Sequence, residues 1–262
     1  MFERAKRITL GADMTLHVRT LADRPDLAPA LEPLLAAGWP RFMRQSPLDR
    51  AYWERLLRDF PDYQVVLVDA EDRLLGAGHS VPFQWDARPA CLPGGWDEVF
   101  RKAMADADAG QAPTAAAALG ITMAAEGRGR GLSHLLFSGL RDAAAGHGFA
   151  DLVAPVRPSR KAAYPITPIN RYLAWTTPEG HPFDPWLRVH VRLGGEVLSV
   201  CAESTIITGT VPEWEEWTQM RFPDSGPYVV PGALVPVEID RDRDEGRYVE
   251  PNVWVRHRLR AP

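Results

Sequence analysis

The sequence has few cysteines, no long apolar run and no surplus of basic charge, and each shortage removes a class of protein. Cys91 and Cys201 are the only cysteines in 262 residues, so no disulfide framework can form. No Cys/His ligand spacing is present, so no metal is expected. The longest apolar stretch, residues 114–125, is too short to span a bilayer. The opening Met-Phe-Glu-Arg-Ala-Lys-Arg lacks the apolar centre of a secretory signal. Net charge is −4 and the pI is near 6.0, against the basic excess of nucleic-acid binders. No internal repeat is visible. What remains is the expectation of a metal-free protein of the reducing cytoplasm. A chain that is 45% hydrophobic and 24% charged fits one soluble elaborated domain.

Against that background one stretch stands out: Glu126-Gly-Arg-Gly-Arg-Gly-Leu-Ser-His-Leu-Leu136. An apolar segment precedes it. An amphipathic helix follows, with Leu132, Leu135, Leu136 and Leu140 on one face and a stop at His147-Gly148. Glycines let the backbone turn tightly and come close to a ligand. The first N–H groups of a helix lack internal partners and carry the positive end of the dipole. Arg128 and Arg130 add forked cationic donors. A diphosphate suits this arrangement; a plain turn with solvated arginines is the other reading. No Gly-Lys-Ser/Thr follows, so this is not a P-loop, and 127–131 does not have the spacing of a dinucleotide fingerprint. A nucleoside-triphosphate site is the weakest reading.

Glu126-x-x-Gly129-x-Gly131 resembles the Gln/Arg-x-x-Gly-x-Gly/Ala motif of GCN5-related N-acetyltransferases. The first position departs from the family, being Glu126. The resemblance implies that the backbone at Arg128, Gly129, Arg130, Gly131, Leu132 and Ser133 holds the pyrophosphate of acetyl-CoA, used as a cosubstrate. It implies that Ile121 and Met123 lie on a strand along the pantetheine arm. It implies an α/β acyl-CoA N-acyltransferase fold, a mixed twisted sheet flanked by helices. The core would run from about residue 14 to 195, with an extended β-rich C-terminal elaboration over 196–262.

Periodicity along the chain agrees with that order. Strands are expected at 15–19, 63–69, 73–83 and 151–156, and helices at 26–37 and 48–60. Residues 85–113 read as a surface excursion with a short helix near 97–106. Ala115 to Ala118 favour helix by propensity; the resemblance makes 114–125 a strand. Short helices are expected at 169–175, 184–193 and 213–220. Residues 196–210 read as a strand pair, and 229–240 with 248–259 as a closing pair.

The resemblance also directs attention to chemistry. Family members often end a helix in Tyr-x-x-x-Gly-Phe, whose tyrosine protonates the departing thiolate. His190-Val-Arg-Leu-Gly194-Gly195 resembles that ending, with His190 for Tyr and Gly195 for Phe. Histidine can carry a proton near neutral pH; a His idle on a helix face is the alternative, and Tyr172 is the rival acid. Ser159 stands near the position where an Asn often contacts CoA. Trp39 and Phe42 lie in the connection that borders the acceptor pocket. No general base can be picked out, although Glu203, Glu238 and Asp240 fall near the expected sheet; Glu238, Asp240 and Glu250 are carboxylates of the tail that could face an amine cation. The implied activity is acetyl-CoA-dependent N-acetylation of a small-molecule amine, with no nucleic acid or membrane partner. A non-catalytic acyl-CoA sensor stays open. So does a homodimer, since the aromatic-rich tail could bury a subunit face.

Overall fold

A computed structural model describes residues 6–10 and 14–259. The elements follow in the order β1 (Lys6–Leu10), β2 (Met14–Thr20), α1 (Ala28–Gly38), α2 (Pro47–Asp59), β3 (Gln64–Asp69), β4 (Leu74–Phe83), α3 (Trp96–Asp108), β5 (Ala115–Met123), α4 (Ser133–Gly146) and β6 (Asp151–Val156). Then come α5 (Ile169–Leu173), α6 (Pro185–Arg192), β7 (Glu196–Gly209), α7 (Val211–Thr218), β8 (Gly226–Tyr228), β9 (Val237–Asp240) and β10 (Glu245–Arg258). Ten strands form one sheet in the order β1-β2-β3-β4-β5-β6-β10-β9-β8, with β7 along the far side of β10. Neighbours are antiparallel except β5 and β6, which run parallel. No helix among the described residues is long and apolar enough to cross a membrane.

The two faces of the sheet are covered by different helices. On one face α4 and α6 pack Leu135, Leu136, Leu140 and Leu187 against Leu16, Val65, Ala116 and Ala118. On the other, α2 and α3 pack Leu56, Val99, Phe100 and Met104 against Val81, Phe83, Ala115 and Ala117. The alanine run of β5 therefore has a packing role. Alternate methyl groups meet a helix on each face, and a strand sandwiched between two helix layers overrides helix propensity.

Several expectations need correction. The segment 85–113 is no surface excursion, because α3 runs the full 13 residues from Trp96 and buries Val99, Phe100, Ala103 and Met104. The region 196–210 is one strand of 14 residues rather than a pair. Its polar middle forms a bulge, with register jumping from Thr205↔Glu250 to Cys201↔Asn252. Ser204 holds the bulge by donating to Asn252 Oδ1 at 2.6 Å and accepting the Trp96 amide at 2.9 Å. In 229–240 only Val237–Asp240 is strand, since Pro231 and Pro236 lack ladder donors. The segment after residue 195 supplies β7 and β10 to the same sheet, β10 lying directly beside β6. β1 was not anticipated at all.

Candidate active site

The parallel strands β5 and β6 are in register only at Ala116↔Leu152 and Ala117↔Val153. Beyond that point they part. The gap opens into a cavity of about 610 Å³ walled by residues 118–123 of β5 and 154–157 of and after β6. Because the strands themselves separate, the cavity reaches both faces. Ser133, Phe137, Trp186 and His190 line it from the α4 and α6 face; Trp39, Trp53, His79 and Trp96 line it from the α2 and α3 face.

At the first face lies the glycine loop before α4. Gly129 and Gly131 have φ of 71° and 72°, and a Cβ at either would meet nothing within 4 Å. Their requirement is conformational, since the left-handed region is costly for other residues. The amides of Gly129, Gly131 and Leu132 take no backbone partner among the described residues. Leu132 itself is buried and anchors the loop to the core. Ile121, Met123, Arg128, Ser133 and Ser159 all line the cavity. Arg128 is partly engaged already: its Nε donates to Met123 O at 3.1 Å and its Nη2 to Ala37 O at 2.9 Å, tying the end of β5 to α1. Glu126 is exposed, with its charge felt by Arg73.

His190 reaches the cavity wall but is 2% exposed. Its Nδ1 lies 3.0 Å from His257 Nε2, and the Phe137 and Trp186 rings stand edge-on at 4.5 and 4.8 Å. Burial, and secondarily His257, push its pKa down to about 3. At neutral pH it is thus a neutral imidazole, able to offer one N–H but not a ready imidazolium. Gly195 has its own explanation. A Cβ there would lie 2.7 Å from both His257 Cε1 and His190 O, so the second histidine occupies the space of a side chain at 195.

Tyr172, the rival acid, is held away from the cavity lining. Its hydroxyl donates to Asp184 Oδ2 at 2.8 Å, and burial with that carboxylate raises its pKa. Asp184 also caps α6 through the Trp186 and Leu187 amides and accepts the Ser159 and Arg160 amides. Tyr172 is thereby part of a structural knot.

On the second face Trp39 lines the cavity, its Nε1 donating to Thr122 Oγ1 at 2.8 Å. Phe42 does not. It is 2% exposed and packs on Trp214 and Tyr248, with ring centroids at 5.7 and 5.4 Å. Of the carboxylates considered, Glu250 lines the cavity and Glu238 and Asp240 do not. Glu250 is fully ligated: it accepts Arg157 Nε at 2.8 Å, the Tyr248 hydroxyl at 2.7 Å and Asn252 Nδ2 at 3.1 Å. Sequence reasoning missed Trp53, His79, Trp96, Arg157 and Asn252 as wall residues. No local pattern marks them, because each comes from a different element.

No family model matches the chain. Two solved structures share the fold. The loading GNATL domain of CurA from Lyngbya majuscula superposes with a TM-score of 0.60 at 17% identity, over 95% of this chain and 98% of that one. The GphF GNAT-like decarboxylase in complex with isobutyryl-CoA gives a TM-score of 0.57 at 22% identity, over 93% and 99%. In sequence, the arginine N-acetyltransferase avaD of Aspergillus versicolor is 32% identical over 271 residues, covering 92% of this chain and 93% of its own. A relative of that identity, matched nearly end to end on a chain with this split sheet and this loop, means that the protein belongs to the GCN5-related N-acetyltransferase superfamily, enzymes that pass an acyl group from CoA to an amine.

Proposed function

We propose that the protein transfers the acetyl group of acetyl-CoA to an amine of arginine or a small cationic molecule like it, in the cytoplasm. The observation that carries this is the cavity running through the sheet, with Arg128 and Ser133 of the glycine loop on its wall at one end and three indoles at the other. In this reading the diphosphate rests on Gly129, Gly131, Leu132 and Ser133, and the pantetheine arm follows Ile121 and Met123 toward the point where the strands part. Ser159 borders the arm. His190 presents an N–H to the departing sulfur. The acceptor enters from the other face, where Trp39, Trp53 and Trp96 suit a flat apolar or cationic body. Glu250 is already neutralised by Arg157, so it shapes the wall rather than pairing with the amine. The arginine preference rests on the avaD relative.

Incubation with acetyl-CoA and L-arginine, agmatine or phenethylamine tests the proposal. Free thiol and acetylated product should appear together, and fastest with the guanidinium-bearing acceptors, L-arginine and agmatine. CoA binding by calorimetry with no product from any amine would favour the non-catalytic sensor instead.

A further inference from the structure

Acyl transfer removes a proton from the amine, and none of the residues above takes it. His79 has no part in any role described so far. It lies on β4 and lines the cavity while being 2% exposed. Strand alternation puts it with Val81 and Phe83 on the α2 and α3 face, where Trp53 stands edge-on at 4.8 Å. It pairs across to Gly120 of β5, just past the point where β5 and β6 separate. Trp39 closes over the same spot, 3.6 Å from where a Cβ on Gly120 would be. His79 therefore borders the apex of the split from the acceptor side.

The hydrogen bonds behind the ring fix its tautomer. The Gln64 amide nitrogen donates both its protons, to Phe60 O at 2.8 Å and Ser80 O at 2.9 Å. That leaves Gln64 Oε1 against His79 Nδ1 at 3.1 Å. An amide oxygen only accepts, so Nδ1 carries the proton and Nε2 carries the lone pair. Nε2 is buried and has no partner among the described residues. A buried acceptor left unpaired is unfavourable, and such groups call for an explanation.

We propose that His79 is the general base, its Nε2 taking the proton that the acceptor amine loses as it attacks the acyl carbon. This rests on the N-acetyltransferase reading above. The acceptor gives its ammonium proton to solvent and binds as the free amine; its nitrogen bonds to the carbonyl carbon, and the C–S bond breaks with its electron pair on sulfur. The N–H proton passes to Nε2, giving an imidazolium whose Nδ1–H stays on Gln64. The departing thiolate accepts a hydrogen bond from the His190 N–H and takes a proton from solvent, and His79 returns its own to solvent before the next cycle. Burial pushes the ring's pKa down to about 4, so it is unprotonated at neutral pH and the imidazolium it forms is short-lived.

His79→Gln keeps a polar side chain that cannot accept a proton. Its kcat/KM should fall by roughly 10²-fold or more with L-arginine and also with O-methylhydroxylamine, whose nitrogen is unprotonated at neutral pH but still sheds a proton on acylation. CoA affinity should not change. No loss with either acceptor, or a loss confined to L-arginine, would overturn the assignment. The unaltered enzyme offers a second reading through its ¹⁵N-histidine spectrum, with His79 assigned by the signal lost in His79→Gln or, should that variant not fold, His79→Asn. A protonated Nδ1 and bare Nε2 are expected; a protonated Nε2 would overturn the proposal whether or not any amine is turned over. If the parent enzyme acetylates no amine, the transferase reading fails. If it does and His79→Gln matches it, only the base is lost.

Discussion

The two ends of the cavity are built in opposite ways. The end proposed for the donor is one contiguous run, 127–133, exposed for most of its length, with left-handed Gly129 and Gly131 and with Arg128 and Ser133 on the cavity wall. The acceptor end is assembled from Trp39 after α1, Trp53 of α2, His79 of β4, Trp96 of α3 and Glu250 of β10, with Glu250 and His79 almost wholly buried. Under the proposed function the first end would meet the CoA diphosphate with its backbone. The second has its polar groups already matched to one another, apart from His79, so selectivity there comes from shape and aromatic faces. The proposed function would thereby divide the site between local backbone chemistry for the donor and long-range packing for the acceptor.

The largest effect should come from a residue that touches neither end. Phe42→Ala should cost about 3–5 kcal/mol of stability in denaturant melts, as deep aromatic truncations do. The Michaelis constants for acetyl-CoA and amine should stay near those of the parent. A selective rise for the amine would extend the acceptor end to Phe42. At the donor end, His190→Phe should lower turnover by roughly 10²-fold and leave CoA binding nearly intact. Unchanged turnover would remove His190 from the chemistry. Gly129→Asp places a carboxylate where the diphosphate should lie and should weaken CoA binding by about 2 kcal/mol or more in calorimetry, with the fold retained. Unchanged affinity would detach the loop from the donor.

Acid stability tests how dry the interior is. Burial holds His79, His190 and His257 at about 4, 3 and 4, and lifts Asp97 to about 6. Unfolded histidine protonates near pH 6.5, so from there down to about 4 the unfolded chain binds more protons than the native one at these three sites. Asp97 works in the opposite direction, since the native state holds its proton more tightly. Three groups against one should make stability fall with acidification, by about 2 kcal/mol per pH unit at the steepest. A flat profile between pH 7 and 4.5 would contradict the burial of these rings. The smallest effect belongs to Trp39→Ala, which should raise the amine Michaelis constant by about tenfold and that of acetyl-CoA much less. Equal rises would make Trp39 part of both ends.

The same division explains what could be read from the chain. The Gly-Arg loop, α4 and β6 were legible because their signals are local: turn residues, helical spacing, a β-branched run. β5 was legible only through the resemblance, since its alanines say helix until two helix layers press on it. The bulge in β7 looked like a turn because polar residues interrupt both. Phe42 and Trp39 looked alike in sequence, three residues apart, yet one faces a core and the other the cavity. Tyr172 lost its place as a candidate acid to Asp184, a contact made across a loop that no periodicity reports. His79 gave no signal at all, being a lone histidine in an apolar strand whose meaning depends on Gln64 and Gly120.

Amide hydrogen exchange can follow both ends in one protein. CoA alone should slow exchange over 127–137 and leave the segments carrying Trp39, Trp53 and Trp96 unchanged. L-arginine added to the CoA complex should then protect those segments without further change in the loop. Protection of the indole segments by CoA alone, with the loop exchanging freely, would contradict a donor on the α4 face and an acceptor on the other.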